Sequence, residues 1–235
     1  MPVANAHRTV LIVGASRGLG LALVGEYLRL GWHVIATIRD TTPPDALRAL
    51  RTAHAGSLDI EQLDITDAAQ IAALRRRLAG RVLDLLFVNA GVSNGPTETV
   101  AGATTDDFVR LMVTNALSPL RVIEACIDLV APTGSVAVMS SGLGSVANNV
   151  SGGWEVYRAS KAALNTLMRS FAARHAASAR TFLAIAPGWV RTDMGGPNAT
   201  LDVGTSIPGV VAAITSRSGT GGMVYVDYQN QVVPW

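Results

Sequence analysis

The chain alternates from one end to the other between short apolar, β-branched runs and longer stretches with helical periodicity. This alternation constrains the fold more than any other feature of the sequence. The short runs predict seven strands, at residues 9–13, 33–38, 58–63, 83–88, 135–139, 181–186 and 223–226. Because these runs are apolar on both faces, they are typical of a parallel sheet that helices cover on each side. The pattern predicts a doubly wound α/β fold.

Helical periodicity fills the stretches between the strands, at residues 19–30, 45–54, 68–78, 106–130, 157–177 and 203–215. No linker, repeat or low-complexity segment interrupts the pattern, so residues 1–235 are predicted to form one domain. Two irregular stretches, 142–155 and 188–202, each follow a predicted strand. Long loops are often binding loops, and ligands of such sheets bind beyond the carboxyl ends of the strands. We therefore expect the functional site at that edge.

Charge and composition disfavour several classes of function. The 19 basic and 17 acidic residues give a net charge of +2, and the one basic cluster, at 75–77, ends a helical pattern, where it complements the helix dipole. The single cysteine, Cys126, and four scattered histidines show no metal-ligand spacing. No apolar run approaches the roughly 18 residues of a membrane helix, and the N-terminus lacks a signal core. We expect no metal, nucleic acid or membrane partner, and a cytoplasmic location.

Three glycines follow the first predicted strand, in the segment Gly14-Ala15-Ser16-Arg17-Gly18-Leu19-Gly20. Glycines there allow a tight turn and a close approach of phosphate to the backbone, and the helix that follows offers free N–H groups. The spacing Gly-x-x-x-Gly-x-Gly differs from the Gly-x-Gly-x-x-Gly dinucleotide fingerprint. The segment indicates a phosphate-binding loop, and a purely structural turn is the alternative.

The chain contains one lysine, Lys161, among eighteen arginines, and it lies four residues after Tyr157. Residues four apart on a helix share a face, with Cβ atoms about 5–6 Å apart. Lowering an ordinary tyrosine pKa near 10 by about 3 units takes roughly 4 kcal/mol. One cation about 4 Å away supplies approximately that energy at an effective dielectric of 20. The pair therefore indicates proton-transfer chemistry, and a solvent-facing lysine is the alternative.

Several motifs, in order along the chain, resemble those of the short-chain dehydrogenase/reductase family. They are the glycine loop at 14–20, Asp64-Ile65, Asn89-Ala90-Gly91, the set Asn115, Ser141, Tyr157 and Lys161, and Pro187-Gly188. The family usually has threonine where this chain has Val13, a departure that removes no glycine. The resemblance covers all but the terminal segments. It implies a Rossmann fold with a seven-stranded parallel sheet in the order 3-2-1-4-5-6-7 and helices on both faces.

The resemblance also implies a role for each matching residue. Tyr157 would act as general acid/base, Ser141 would bond the substrate oxygen, Lys161 would also hold the nicotinamide ribose, and Asn115 would hold a water that links the lysine to solvent. Ser140 is the alternative to Ser141, and Asn115, four residues before Pro119, also fits an ordinary polar position at a helix kink. The implied cofactor contacts are Gly14, Ser16, Arg17, Gly18, Leu19, Gly20, Arg39, Asp64, Ile65, Asn89, Ala90, Gly91, Tyr157, Lys161, Pro187, Gly188, Val190 and Thr192.

The second predicted strand ends at Ile38 and is followed by Arg39, where an acidic residue would select NAD by binding the ribose 2′-hydroxyl. Arg17 lies in the glycine loop, and two arginines can flank a 2′-phosphate with charge-assisted hydrogen bonds. In the family this combination implies NADP(H) rather than NAD(H). Asp40 argues the other way, because it could pair with Arg39 or turn towards the ribose. Two exposed arginines without a ligand are the remaining alternative.

Apolar side chains occur in both long loops. Leu143, Trp154, Trp189 and Met194, together with Ser141, would line an apolar, partly aromatic substrate cleft. The alternative is that the tryptophans only cover the edge of the sheet. The segments 140–144 and 189–197 and the closing Val233-Pro234-Trp235 resemble the family branch that contains sniffer-type carbonyl reductases and C-factor signalling proteins.

The function hypothesis is an NADPH-dependent oxidoreductase that reduces aldehyde or ketone carbonyls to alcohols, with Tyr157 as general acid/base. The alternative is a dinucleotide-binding sensor or C-factor-like signalling protein with little turnover. Ser141, Tyr157 and Lys161 favour catalysis, because a sensor needs only the glycine loop and the ribose contacts. The expected partner is a small carbonyl or alcohol substrate. The resemblance also implies a homodimer or homotetramer.

Overall fold

Seven parallel strands form one sheet in the computed structural model, which describes residues 8–95 and 99–235. They are β1 (Thr9–Val13), β2 (His33–Ile38), β3 (Leu58–Gln62), β4 (Leu83–Val88), β5 (Val130–Met139), β6 (Thr181–Ala186) and β7 (Gly222–Asp227). Their order in the sheet is β3-β2-β1-β4-β5-β6-β7, and every neighbouring pair is parallel. The predicted fold and strand order are confirmed. The predicted domain bounds, 1–235, include residues 1–7 and 96–98, which lie outside the described residues.

Helices cover both faces of this sheet. They are α1 (Gly18–Arg29), α2 (Asp45–Ala53), α3 (Ala68–Arg77), α4 (Thr105–Met112), α5 (Ser118–Cys126), α6 (Glu155–Arg174) and α7 (Val203–Arg217). Side chains of α1, α2 and α7 pack on one face with Val10 and Ile12 of β1, and those of α3, α5 and α6 pack on the other with Leu11 and Val13. Because successive strand residues point to opposite faces, both faces need apolar residues, which explains the continuous apolar runs.

The predicted helix 106–130 is not continuous. A π-helical segment, Val113–Leu117, separates α4 from α5, and a 3₁₀ turn, Ile127–Leu129, leads directly into β5 at Val130. Pro119 has no N–H to donate to the carbonyl of residue 115, so the helical hydrogen bonds must be rearranged at this point. The early start of β5 was also missed, because its first residues contain Pro132 and Gly134 and pair with β4 through an irregular register. The helix α6 also differs from the prediction, since it begins at Glu155, two residues before the predicted start at residue 157.

The described residues contain no helix that is long and apolar enough to cross a membrane. Within the same ranges, no group of three or more His, Cys, Asp or Glu side chains is arranged to hold a metal ion. Cys126 is free and buried. The expected cytoplasmic location and homo-oligomer stay predictions.

The chain packs closely where β1 passes into α1. A Cβ on Gly20 would lie 2.0 Å from the carbonyl oxygen of Gly14 and 2.6 Å from the side-chain nitrogen of Asn89. Gly14 has φ +88°, and a Cβ there would lie 2.7 Å from Ala90. These glycines let the first turn of α1 contact the ends of the two central strands, β1 and β4.

We expect Gly20→Ala to lower the free energy of unfolding by about 1–3 kcal/mol, the usual cost of overpacking a filled site. Gly25 provides the matched control, because it lies on the same helix and a Cβ there meets no atom within 4 Å. Gly25→Ala should raise the free energy of unfolding by about 0.5–1 kcal/mol, since alanine favours the helix. Urea unfolding measures both changes, and equal stabilities would contradict the packing role of Gly20.

Candidate active site

The glycine loop fits an anion. Arg17 precedes α1 with an extended backbone, and no side chain caps the first turn of this helix. Gly18 has φ +56°, a left-handed conformation that favours glycine, and it faces the methyl group of Thr192, which would lie 3.8 Å from a Cβ at Gly18. Free N–H groups, the positive end of the helix dipole and an uncovered backbone are the features that bind a pyrophosphate. Ser16 and Leu19 lie in the same turn.

The turn Asn89-Ala90-Gly91 joins this loop to the rest of the site. The Asn89 side chain donates to the Gly14 carbonyl at 2.7 Å. The backbone N–H groups of Asn89 and Ala90 both donate to the Val13 carbonyl at 2.9 Å. A Cβ on Gly91 would lie 3.3 Å from both Asn115 Oδ1 and Lys161 Nζ. The predicted Asn-Ala-Gly motif therefore lies between the glycine loop and the candidate catalytic residues.

Asn115 uses its whole side chain in fixed hydrogen bonds. Its Oδ1 accepts from the Val92 N–H at 2.8 Å, and its Nδ2 donates to the Val92 carbonyl at 2.8 Å and to Ser160 Oγ at 2.9 Å. Ser160 Oγ in turn donates to the Tyr157 carbonyl at 2.7 Å. The π-helical segment thus brings Asn115, fully buried, against α6 and ties it to the backbone of the tyrosine.

Lys161 is 3% exposed, and its Nζ donates to the Met139 carbonyl at the end of β5 at 2.8 Å. None of the ion pairs among the described residues includes it. Burial lowers the pKa of Lys161 to about 8. The Nζ lies 5.8 Å from the centre of the Tyr157 ring. The solvent-facing alternative for this lysine is therefore wrong.

The Tyr157 side chain is half-buried between Ser141 and Trp154. Burial raises the pKa of Tyr157 to about 12, while a hydrogen bond with the Ser141 side chain acts in the opposite direction. The lowering of this pKa that we expect from Lys161, helped by the positive charge of an oxidised nicotinamide, stays a prediction for the complex. Loss of solvent has the largest effect on the pKa of Tyr157 here, and the Lys161 ammonium is bonded to the Met139 carbonyl.

The structure distinguishes the two serines at the end of β5. Ser140 is buried, and its Oγ donates to Asn165 Oδ1 at 2.7 Å. Ser141 is half-buried, and its Oγ accepts from the Leu143 N–H at 3.2 Å and bonds with the Tyr157 side chain. Only the Ser141 hydroxyl is therefore placed beside the tyrosine.

Two residues that bond the serines at the end of β5, one to Ser140 and one to Ser141, were missed by the sequence analysis. Asn165 accepts from Ser140 and donates to the Gly144 carbonyl at 3.2 Å. The hydroxyl of Tyr225, on β7, donates to the Ser141 carbonyl. Asn165 was detectable, since it lies four residues after Lys161 on the same helix face. Tyr225 was not, because 84 residues separate it from its partner.

The predicted cofactor contacts of β2 and β3 also reach this edge. Arg39 and Asp40 are exposed, and no ion pair in the described ranges includes either of them. Arg17 is exposed too, but it bonds Asp193 at 2.8 Å, which the sequence did not predict. Asp64 Oδ1 accepts from the Thr66 N–H and hydroxyl at 2.8 and 2.7 Å, forming a local turn. Ile65 beside it is buried.

The loop after β6 approaches the glycine loop from the opposite side. Gly188 has φ +83°, a left-handed conformation that favours glycine, and a Cβ there would lie 2.4 Å from the Leu201 side chain. The carbonyl of Pro187 accepts from Ser206 at 2.7 Å. Val190 is buried and pairs with Leu201. Thr192 lies beside Gly18, and its role as a phosphate contact stays a prediction.

The predicted substrate residues fall into two groups. Trp154 packs edge-on against the Tyr157 ring at 5.8 Å, and Leu143 follows Ser141 in the short turn at the end of β5. Trp189 and Met194 lie in the loop after β6, both about half exposed, and Trp189 Nε1 donates to the Gly195 carbonyl at 2.8 Å within that loop. The structure gives Trp154 and Leu143 contact with the candidate catalytic residues or their turn, whereas the hydrogen bond of Trp189 stays within its own loop.

Comparisons with known proteins agree with this arrangement. The family model for short chain dehydrogenase matches residues 8–200. A short-chain dehydrogenase/reductase structure from Burkholderia multivorans with bound NADP is 53% identical, has a TM-score of 0.95, and matches 97% of this chain and 100% of the other. A carbonyl reductase from Pseudomonas aeruginosa PAO1 in complex with NADP is 38% identical, with a TM-score of 0.91 and coverage of 98% and 100%.

Among the curated relatives, C-signal of Myxococcus xanthus is 38% identical over 155 residues, which are 65% of this chain and 93% of that protein. This similarity agrees with the predicted branch that contains sniffer-type reductases and C-factor proteins. With the matching glycine loop, the Asn-Ala-Gly turn and the parallel sheet, the comparisons establish that the chain belongs to the short-chain dehydrogenase family of oxidoreductases.

Proposed function

We propose that this protein is an NADPH-dependent reductase that converts aldehyde or ketone carbonyls to alcohols. The observation that carries the proposal is the meeting of three groups at the carboxyl edge of the sheet. The Ser141 hydroxyl bonds the Tyr157 side chain, and the buried Lys161 ammonium lies 5.8 Å from the Tyr157 ring. A proton donor, a second hydrogen-bonding group for the same oxygen and a nearby cation are what carbonyl reduction requires.

Reduction adds a hydride to the carbonyl carbon and a proton to the oxygen. A bound nicotinamide would supply the hydride. Tyr157 donates its phenolic proton to the oxygen, and its raised pKa of about 12 keeps it protonated at neutral pH. Ser141 holds the substrate oxygen beside the phenol and stabilises the charge that develops there. Lys161, with the chain of bonds from Asn115 to Ser160, keeps α6 in place under the tyrosine.

NADP(H) is the cofactor that we propose for the glycine loop. The Burkholderia and Pseudomonas structures contain bound NADP. In this chain Arg39 follows β2 without an acidic partner among the described ion pairs, so its guanidinium is available to a 2′-phosphate. Asp193 competes for the second arginine, Arg17. We therefore propose Arg39 as the main determinant of the preference for NADP(H) over NAD(H).

The substrate that we propose is an apolar carbonyl compound. Trp154 and Leu143 border the Tyr157–Ser141 pair, and Trp189 and Met194 present exposed apolar surface on the loop after β6. The sensor alternative needs only the glycine loop and its neighbours. It does not account for a serine hydroxyl bonded to the tyrosine side chain and a buried lysine ammonium 5.8 Å from the tyrosine ring, so we favour the enzyme.

We expect the wild-type protein to oxidise NADPH with a panel of apolar aldehydes and ketones. Tyr157→Phe should lower kcat/KM by about 10²- to 10⁴-fold, the usual contribution of a general acid, and should still bind NADPH. Tyr27→Phe is the matched control, because it also removes a tyrosine hydroxyl. That hydroxyl is buried on α1, far from the candidate active site, and has no hydrogen-bond partner among the described residues. Tight NADPH binding by the wild type without turnover of any carbonyl would refute the reductase and support the sensor.

Arg39→Ala should raise the Kd of NADPH by about 10- to 100-fold, the loss expected for one charge-assisted hydrogen bond. The Kd of NADH should change much less, since NADH lacks the 2′-phosphate. Arg51→Ala is the control, because Arg51 is exposed on α2 away from the glycine loop. Fluorescence titration measures both constants. An equal loss for both cofactors would exclude Arg39 as the 2′-phosphate contact.

The pKa of Lys161 predicts how stability depends on pH. The value is about 8 in the folded protein and 10.5 for an unperturbed lysine, so between these values the unfolded chain binds more protons. Stability therefore rises with pH across this window. We expect the free energy of unfolding of the wild type, relative to Lys161→Met, to increase by on the order of 2 kcal/mol from about pH 7 to pH 10. A pH-independent difference between the two proteins would contradict a buried ammonium.

A further inference from the structure

Arg158, the residue after the candidate catalytic tyrosine, is a buried cation that the proposed chemistry does not use. It is 8% exposed, and none of the described ion pairs supplies it with a carboxylate. Its Nε donates to the Gly153 carbonyl at 2.9 Å, and its Nη2 donates to the Gly152 carbonyl at 3.0 Å and to Ser151 Oγ at 3.2 Å. A buried guanidinium needs such partners, so its place depends on this one loop.

The loop that Arg158 holds has an unusual backbone. Gly152, Gly153 and Trp154 have φ of +64°, +69° and +55°, three left-handed residues in succession. Trp154 and Asn230 are the non-glycine residues with positive φ in the described ranges. A bulky residue in this conformation is disfavoured and persists only where its surroundings hold it.

The consequence of this conformation is the place of the Trp154 ring. The ring packs edge-on against Tyr157, with 5.8 Å between centroids and 61° between planes. The Trp154 carbonyl also accepts from the Arg158 N–H at 2.8 Å, which starts the hydrogen bonds of α6. The Arg158 side chain thus holds the loop before Trp154, and the backbone N–H of the same residue bonds the Trp154 carbonyl.

We propose that Arg158 is a positioning residue that fixes Trp154 as a wall beside Tyr157 and so determines which carbonyl compounds reach the phenol. This inference rests on the proposed reductase function. The wall limits the bulk that can lie beside the phenol at Trp154, so the site selects carbonyl compounds with compact substituents. The loop cannot move away without leaving the guanidinium buried and unpaired, so the wall stays in place between turnovers.

Hydrogen exchange tests the positioning role independently of any measurement of enzymatic activity. We expect amide exchange over residues 145–156 to accelerate by roughly tenfold or more in Arg158→Gln, and less in Arg158→Lys, which keeps the charge but not the fork. Ser151→Ala removes one acceptor and should give a smaller acceleration, so it carries the test if the arginine variants do not fold. Arg51→Gln is the control. Wild-type exchange in the folded variants would overturn the proposal.

A double-mutant cycle tests the effect on specificity. The measured quantity is the ratio of kcat/KM for a bulky diaryl ketone to kcat/KM for a small aliphatic aldehyde. Trp154→Ala and Arg158→Gln should each raise this ratio by roughly tenfold, with the change in the KM of the carbonyl and not in that of NADPH. Because both act through one wall, the double variant should show no further increase.

The outcomes separate this inference from the function on which it rests. Additive effects in the cycle, or an equal loss of activity for both substrates, would show that Arg158 has a general structural role only and would overturn the inference. A wild-type protein that reduces no carbonyl would refute the reductase function and, with it, the specificity role. The exchange measurement would then still show whether Arg158 holds the loop.

Discussion

The hydrogen bond between the Asn89 amide and the Gly14 carbonyl is the contact on which the arrangement of the site depends. It joins the two central strands, β1 and β4, just beyond their carboxyl ends, where the ladder between them stops. A buried carbonyl at this point needs a donor, and Gly20 leaves room for one by having no side chain. The first turn of α1 is thereby held close to the sheet with its N–H groups free, and the next residues of the β4 turn reach Asn115 and Lys161.

The second organising element is one face of α6. Tyr157, Lys161 and Asn165 follow one another at intervals of four, and each is paired with the end of β5: the tyrosine with Ser141, the lysine with the Met139 carbonyl, the asparagine with Ser140. Gly144 allows this approach, since a Cβ there would lie 3.0 Å from Lys161 Cβ. Burying the Lys161 ammonium costs stability, and the loss of solvent accordingly lowers the pKa of this lysine. The buried lysine thus lowers the stability of the fold while it fixes the geometry around Tyr157.

Much of this architecture could be predicted from the sequence. Strands that are buried on both faces appear there as continuous apolar runs, and the residues that flank each run mark where the strand ends. The same reasoning failed at 113–134, where a proline displaced the helical bonds by one residue and β5 began among residues typical of loops. At the candidate site, local spacing was enough to single out Tyr157, Lys161 and the glycine loop as candidate residues. It could not show the raised pKa of Tyr157, the pairing of Arg17 with Asp193, or the burial of Arg158, because each of these depends on atoms far away in the chain or on exclusion of water.

The position of the single lysine has a practical consequence. Of the 19 Lys and Arg side chains, all but one are guanidinium groups. The one side-chain amine, that of Lys161, is buried under the end of β5. Reagents that acylate or cross-link primary amines therefore meet no exposed lysine on the folded molecule. Modification of Lys161 by such a reagent requires the segment around it to open, so the rate of acylation of this residue reports directly on the opening of the active site.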